Sequence, residues 1–120
     1  MAKSSFVEEF GVRFQDGLVA VDLPARLDVT NTRTFVDALQ RELDSDHLQI
    51  ILNFEKTQAI DSTALGAIVQ VFKTLKSRDG TLGLCSVGSG VRRVLAITRV
   101  DRVFPIFDDL ETALRAFATG

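Results

Sequence analysis

A run of hydroxyl and carboxylate side chains stands where a predicted buried strand gives way to an apolar helix. Residues 59–66 read Ala-Ile-Asp-Ser-Thr-Ala-Leu-Gly, so Asp61, Ser62 and Thr63 fall at the expected start of the helix. In parallel α/β folds, ligands and modifications gather where a strand ends and the next helix begins. A phosphate on Ser62 could interact with the free N–H groups and the positive end of the helix dipole.

The same segment has a simpler interpretation. Asp61 or Ser62 can serve as the helix N-cap, because a side-chain oxygen there accepts a hydrogen bond from a free N–H group of the first turn. Gly66 would then allow close packing of the helix. A carboxylate at Asp61 would also repel a phosphate on Ser62 if the two groups lie close together. The local residues alone favour the capping interpretation.

A second polar segment, Ala25-Arg26-Leu27-Asp28, holds the corresponding place in the first crossover. It follows a strand predicted over residues 18–23 and precedes a helix. If that strand and the one predicted over residues 49–54 are neighbours, Asp28 and the 61–63 segment emerge on the same sheet edge. The simpler interpretation of Asp28 is a turn or cap residue.

This chain of 120 residues has few residues suited to catalysis or metal binding. It has one His and one Cys, so an intramolecular disulfide and a Cys-based zinc cluster are excluded. A serine nucleophile needs a base, and the single imidazole, His47, lies in a polar connector. Cys85 stands within an apolar strand and is expected to be buried. We therefore predict no catalytic residues, no metal site and no cofactor.

The charge balance also limits the partners. Fourteen Lys and Arg against sixteen Asp and Glu give a net charge of −2, which argues against bulk binding of nucleic acid. A solvated face or a protein contact is the preferred interpretation of the one basic concentration, which comprises Arg92, Arg93, Arg99 and Arg102. The apolar stretch 64–72 is too short to cross a bilayer. With no visible signal peptide and a single Cys, we expect a cytoplasmic location without membrane insertion.

Alternating strand and helix patterns predict the elements that position these residues. Alternation over residues 6–14, the turn residues Asp16-Gly17 and the apolar run 18–23 predict a hairpin. The first helix should follow Thr30 or Asn31 as its cap. Further strands are predicted over residues 49–54, 81–87 and 103–107, the last at a sheet edge because of Pro105. Further helices are predicted from 61–62, over 91–97, and after a cap at Asp108 or Asp109.

This order, ββαβαβα(β)α, predicts an α/β fold. We expect a mixed, largely parallel sheet of about four to five strands with about four helices, since parallel neighbours need helical crossovers. The apolar and charged shares, 46% and 25%, are ordinary for a globular protein. Without a linker, repeat or low-complexity stretch, residues 1–120 are predicted to form a single domain.

These motifs resemble the STAS domain, the fold shared by anti-sigma factor antagonists and the cytoplasmic tails of sulphate transporters. The resemblance is to the stand-alone antagonist branch and covers essentially the whole chain. It rests on Arg26-Leu27-Asp28, the Asn53-Phe54 strand end and, above all, residues 60–66. The segment from Val91 to Phe107 also resembles the closing helix and edge strand of the family.

The resemblance implies a function performed on the chain by partners. An anti-sigma factor with serine kinase activity would bind the unmodified form, which frees the sigma factor. That kinase would phosphorylate Ser62, with Thr63 as the second choice, and a PP2C-type serine phosphatase would reverse the modification. The implied partner-binding residues are Asp28, Asp61, Ser62, Thr63, Ala64, Leu65 and Gly66. The chain itself would be no enzyme.

Three residues depart from the family pattern. Ala25 and Ala64 replace glycines that usually precede the first motif and follow the hydroxyl pair, and Arg99 stands near the end of the third helix, where the family often has Gly. Arg99 would be strained if that position needs a positive φ. The runner-up function is a constitutive interaction module, either a stressosome-type scaffold or a soluble subunit of a lipid transporter. A small hydrolase is a remote third class.

Overall fold

The computed structural model describes residues 11–15, 18–44 and 49–119. The first half of the predicted strand 6–14, the Asp16-Gly17 turn and His47 lie outside the described residues. The described strands are β1 Gly11–Gln15, β2 Leu18–Asp22, β3 Arg26–Leu27, β4 Gln49–Asn53, β5 Ala59–Ile60, β6 Thr81–Cys85 and β7 Ile106–Phe107. The helices are α1 Thr32–Asp44, α2 Ser62–Ser77, α3 Ser89–Ile97 and α4 Leu110–Thr119, with a 3₁₀-helix at Val100–Arg102.

Five of the described strands form one sheet in the order β1-β2-β4-β6-β7. β1 is antiparallel to β2, and the other three pairings are parallel. Strands β2 and β4 are direct neighbours, with Asp22 opposite Asn53 at their carboxyl ends. The predicted mixed, largely parallel α/β fold with four helices is therefore confirmed.

Both faces of the sheet are buried, which explains why β2 is apolar at successive positions. Val19 and Val21 face the larger core, to which α1, α2 and α3 contribute. Leu18 and Ala20 face the other side, where the sheet packs against α4. Burial of both faces is the usual reason for a continuous apolar run in a parallel sheet.

The side covered by α4 depends on a glycine in β6. A Cβ on Gly83 would lie 2.9 Å from Cζ of Phe117 and 3.2 Å from a ring carbon of Phe107. These two rings pack edge to face, with centroids 5.9 Å apart. The missing side chain of Gly83 thus lets the aromatic pair approach the backbone of the sheet.

The N-cap of α4 is Asp109, which is one of the two residues predicted for this role. Its Oδ1 accepts a hydrogen bond from the Thr112 N–H at 2.8 Å.

Two parts of the predicted element map were wrong. The strand predicted over 103–107 is reduced to Ile106–Phe107, because the chain first turns through the 3₁₀-helix and buries Phe104. Pro105 has no N–H to donate, but its carbonyl accepts from Leu84 at 3.0 Å. The strand predicted over 81–87 ends at Cys85, because Ser86 has a φ of 56°. Within the described segments, no helix is long and apolar enough to span a membrane.

Arg99 occupies the left-handed region, with φ 64° and ψ 15°. It follows α3, where the chain reverses into the 3₁₀-helix. A side chain costs about 1–2 kcal/mol in this region, whereas Gly adopts it readily but has more freedom to lose on folding.

Replacing Arg99 by Gly should therefore raise the free energy of unfolding by about 0.5–1 kcal/mol. Urea denaturation would measure the change. The matched control is Arg93→Gly, which places the same substitution inside α3 and should lower stability by about 1 kcal/mol. Equal losses in the two variants would show that Arg99 is not strained.

Candidate functional site

Two loops that leave the carboxyl ends of β2 and β4 run side by side. The two-residue strands β3 and β5 pair in parallel, with Arg26 opposite Ala59 and Leu27 opposite Ile60. The pairing continues at both ends, because the Gln58 N–H donates to the Ala25 carbonyl at 2.8 Å and the Asp61 N–H to the Leu27 carbonyl at 3.3 Å. This seam joins the two segments singled out in the sequence.

Buried polar side chains fix the seam to the sheet below it. Asn53, which is 5% exposed, donates from Nδ2 to Oδ1 of Asp22 at 2.9 Å and accepts from the Glu55 N–H at 3.1 Å. Thr57, which is 4% exposed, donates its hydroxyl to the Pro24 carbonyl at 2.7 Å. Unpaired polar groups at such depth would be costly, so these bonds define the paths of both loops.

The carboxylate of Asp61 connects the seam to α2. Its Oδ1 accepts from the Ala64 N–H at 2.8 Å, which makes Asp61 the N-cap of the helix. Its Oδ2 accepts from the Val29 N–H at 3.0 Å. One side chain therefore caps α2 and holds the loop that carries Asp28 against the start of the same helix.

The hydroxyl residues stand at the outside of this junction. Ser62 is the first residue of α2, and both Ser62 and Thr63 are exposed. Ala64 is fully buried and Leu65 is 8% exposed, so both side chains pack in the core. Gly66 is exposed again, and a Cβ there would meet no atom within 4 Å. Direct contact with a partner would thus come from the exposed residues of the segment.

The loop after β3 is held by Asp28 and Asn31. Asp28 Oδ1 accepts from the Thr30 hydroxyl at 2.6 Å and from the Thr30 N–H at 2.9 Å. The bond from the Thr30 hydroxyl, followed by that from its N–H, lowers the pKa of Asp28 below its ordinary value. The sequence predicted Thr30 or Asn31 as the cap of α1, but the Asn31 side chain does not cap this helix. Its Oδ1 accepts instead from the Asp28 N–H at 2.9 Å, and its Nδ2 donates to the Arg26 carbonyl at 2.8 Å.

The roles of two residues at this surface were not predicted from the sequence, which gave Thr30 only as a possible cap of α1. Val29 is 66% exposed, and its backbone is the point that Asp61 holds. Thr30 supplies the hydroxyl to Asp28. An exposed valine has no sequence signal of its own, whereas the Asp-x-Thr spacing is typical of a side chain that bonds to the backbone two residues on.

The cluster offers an accessible hydroxyl beside negative charge. Asp28 and Asp61 emerge from adjacent loops. Nε of Arg26 lies 4.0 Å from Oδ2 of Asp28, and the Arg26 side chain is 74% exposed. In the part of the chain that the structure describes, no three His, Cys, Asp or Glu side chains are placed to hold a metal ion. Such a cluster is suited to being modified or bound at Ser62.

The profile of the STAS domain family matches residues 9–113. The chain belongs to the STAS domain family. This STAS domain is 30% identical over 106 residues to a Thermotoga maritima protein named "Putative anti-sigma factor antagonist", covering 88% of this chain and 94% of that one. The crystal structure of a T. maritima protein of the same description superimposes with a TM-score of 0.86 and 29% identity, covering 94% and 97% of the two chains.

A more distant neighbour has been solved in two chemical states. SpoIIAA, a Bacillus cell fate determinant and anti-sigma factor antagonist, superimposes in its unphosphorylated form with a TM-score of 0.73 and 19% identity, covering 92% of this STAS domain and 98% of SpoIIAA. Its phosphorylated form gives a TM-score of 0.75 and 18% identity, covering 90% and 98%. At these identities the likeness shows the shared fold.

Asp61→Ala should lower the free energy of unfolding by about 1–2 kcal/mol, because the N-cap and the bond to Val29 are lost together. Asp61→Asn should lose less, since Asn is also a good N-cap residue. Urea denaturation would measure both variants. The control is Asp37→Ala at an exposed position on α1, where a change within about 0.5 kcal/mol is expected. Equal stability of Asp61→Ala and Asp37→Ala would contradict the bridging role.

Thr30→Val should raise the pKa of Asp28 towards its ordinary value, because the bond that lowers it most is removed. Since the folded pKa is depressed, the contribution of Asp28 to stability is complete above its ordinary pKa and is lost as pH falls through the folded value. NMR titration of the carboxyl carbon would follow the change.

The matched control for this titration is Thr112→Val beside Asp109. There the backbone N–H of Thr112, which the variant keeps, is the largest cause of the lowered pKa. The pKa of Asp109 should therefore rise less than that of Asp28. A pKa of Asp28 that is unaffected by Thr30→Val would show that the hydroxyl does not stabilise the carboxylate.

Proposed function

We propose that this STAS domain is an anti-sigma factor antagonist controlled by phosphorylation of Ser62. The unmodified form binds an anti-sigma factor with serine kinase activity, and the sigma factor is released. The observation that carries the proposal is the exposed Ser62 hydroxyl at the start of α2, beside a loop that Asp61 holds in place. The names of the relatives, which describe anti-sigma factor antagonists, support this reading.

The position of Ser62 suits a kinase substrate. The Ser62 side chain is exposed, whereas Ala64 and Leu65 are buried and anchor the helix. The fixed seam presents the hydroxyl on a rigid surface, so a kinase need not unfold the segment to reach it. Thr63 is also exposed and is the second candidate acceptor. Ser62 is preferred because it is the residue directly after Asp61 in the family motif.

Charge explains how the modification would release the partner. A phosphate adds about −1.5 to −2 charges at neutral pH. Asp61 already lies beside Ser62, and Asp28 lies in the adjacent loop. An interface that accommodates a neutral hydroxyl there would have to bury the additional charge next to two carboxylates. Uncompensated like charges oppose such burial, so the phosphorylated form dissociates.

The proposed cycle places the catalysis in the partners. The kinase supplies ATP and its metal ion, a PP2C-type serine phosphatase removes the phosphate, and this chain is the substrate of both. It needs no cofactor, nucleic acid or membrane insertion of its own, and the cycle belongs to the cytoplasm. A partner that binds equally well whatever the state of Ser62 would instead favour the constitutive interaction module.

The cognate kinase should add one phosphate to the chain, and Ser62→Ala should abolish the addition. Intact-mass spectrometry would follow the reaction with the purified kinase and ATP. Two controls, Thr63→Ala and Ser89→Ala, should still be phosphorylated; Ser89 is likewise an exposed first residue of a helix. A phosphate that persists in Ser62→Ala, or an unchanged mass of the unsubstituted chain, would overturn the assignment.

Ser62→Asp should weaken binding of the anti-sigma factor by about tenfold or more, because it adds a charge beside Asp61 and Asp28. Ser89→Asp is the matched control, since it makes the same change at the start of α3. It should leave the affinity within about twofold of the unsubstituted chain. Calorimetric titration of both variants would decide, and an equal effect at the two positions would argue against the local charge mechanism.

A further inference from the structure

A basic surface lies on α3 and the 3₁₀-helix that follows it. It comprises the exposed residues Arg92, Arg93, Ile97, Arg99, Arg102 and Val103, and is called here the arginine surface. Residues 91–104 carry a net charge of +3 in a chain of net charge −2, which leaves −5 for the rest. Among the described residues, none of its four arginines forms an ion pair. Its positive charge is therefore available to a partner.

Two aliphatic side chains of the arginine surface are also exposed. Ile97 is 73% exposed and Val103 is 50% exposed. On α3, Ile97 stands four residues after Arg93 and so lies on the same side of the helix, while Val91 and Leu95 are buried in the core. The surface thus combines guanidinium groups with apolar groups that nothing in the described chain covers.

The backbone beneath these side chains is held in one conformation. The Thr98 hydroxyl donates to the Val94 carbonyl at 2.8 Å, and the Val103 N–H to the Val100 carbonyl at 2.9 Å. The chain is then anchored by Phe104, which is buried with its ring 4.9 Å from that of Phe72. A surface that is already ordered loses less entropy when it binds.

We propose that the arginine surface binds an acidic protein segment that carries aliphatic side chains. Arg is enriched in protein interfaces and in the residues that contribute most to binding, and exposed aliphatic groups supply buried area. An extended polyanion is a poorer match, because the charge of −5 on the rest of the chain would repel it. The described part of the surface also offers no exposed aromatic ring on which a base could stack.

Site-specific photo-cross-linking with the full chain tests this proposal. The probe p-benzoylphenylalanine takes the place of Val103, and a control chain carries it at exposed Glu111 on α4, which packs on the opposite face of the sheet. Both are irradiated in native extract of the producing cells, and the cross-linked segments are sequenced. We expect the probe at residue 103 to cross-link a protein segment of net negative charge with aliphatic residues, and the probe at residue 111 to give no such product.

Charge reversal shows whether the arginines are responsible. Arg93→Glu combined with Arg102→Glu should lower the yield of this product by about tenfold or more. Lys56→Glu combined with Lys73→Glu is the matched control, because it makes the same change in net charge at exposed positions elsewhere and should keep most of the yield. Circular dichroism confirms that each variant is folded.

Several results would overturn the proposal. These are a product with nucleic acid, lipid, a second copy of this chain, or a segment without net negative charge. The absence of any product above the level obtained with the probe at residue 111 would also overturn the proposal, as would equal yields from the two charge-reversed chains. The result is independent of Ser62, because it depends on the chemistry of the segment captured at position 103.

Discussion

The candidate site depends on the two hydrogen bonds that the Asp61 carboxylate accepts. Each of its oxygens accepts from a different element, one from the Ala64 N–H in α2 and one from the Val29 N–H in the preceding crossover. Without this bridge, the start of the helix would be joined to the loop of Asp28 through the backbone bonds of the seam and the Thr57–Pro24 bond. One side chain thus both caps α2 and holds the loop of Asp28 at the candidate site.

The parallel sheet explains why such a bridge can form. Adjacent strands β2 and β4 run in the same direction, so both loops leave the same edge. Asn53 and Thr57 then hold these loops to each other before the polar residues emerge. The arrangement exposes Ser62 without giving it a role in the core. In the proposed cycle, a charge added to Ser62 changes what the surface binds while the fold remains the same.

The two interpretations of residues 61–63 are compatible in the folded chain. Asp61 caps α2, which satisfies the simpler interpretation, and this leaves the Ser62 side chain exposed for a partner. The arginine surface lies on α3, whose residues contact β5 next to the same junction. The candidate site and the arginine surface are therefore carried by neighbouring elements of the fold. Under the proposed function, a chain with one His and one Cys regulates partners that perform the chemistry.

Periodicity predicted the parts of the fold that are long enough to show it. The amphipathic α1 and the apolar strands β2 and β4 each bury a face that the sequence pattern specifies. The two-residue strands β3 and β5 are too short to show a periodic hydrophobic pattern. Their pairing depends on contacts between residues more than 30 positions apart. The predicted edge strand begins too early in the sequence, because the hydrophobic residue Phe104 packs into the core from a loop and not from a strand.

The candidate site was predictable to the same extent. The residue types at Asp28, Asp61 and Ser62 and their places after strands predicted a common sheet edge, and the structure places them there. The bond from Asp61 to Val29 was not predictable, since it joins a carboxylate to a backbone N–H and leaves no signal in the type of residue 29. The positive φ of Arg99 was signalled by the glycine that the family often has there.

The affinity of the phosphorylated chain for its anti-sigma factor tests the central claim most directly. The unmodified chain and the chain carrying phosphoserine at position 62 would be titrated against the same purified partner at low and high salt. The phosphorylated chain should bind about tenfold more weakly or worse, and salt should narrow the difference because it screens the added charge. Equal affinities of the two forms at low salt would contradict the account.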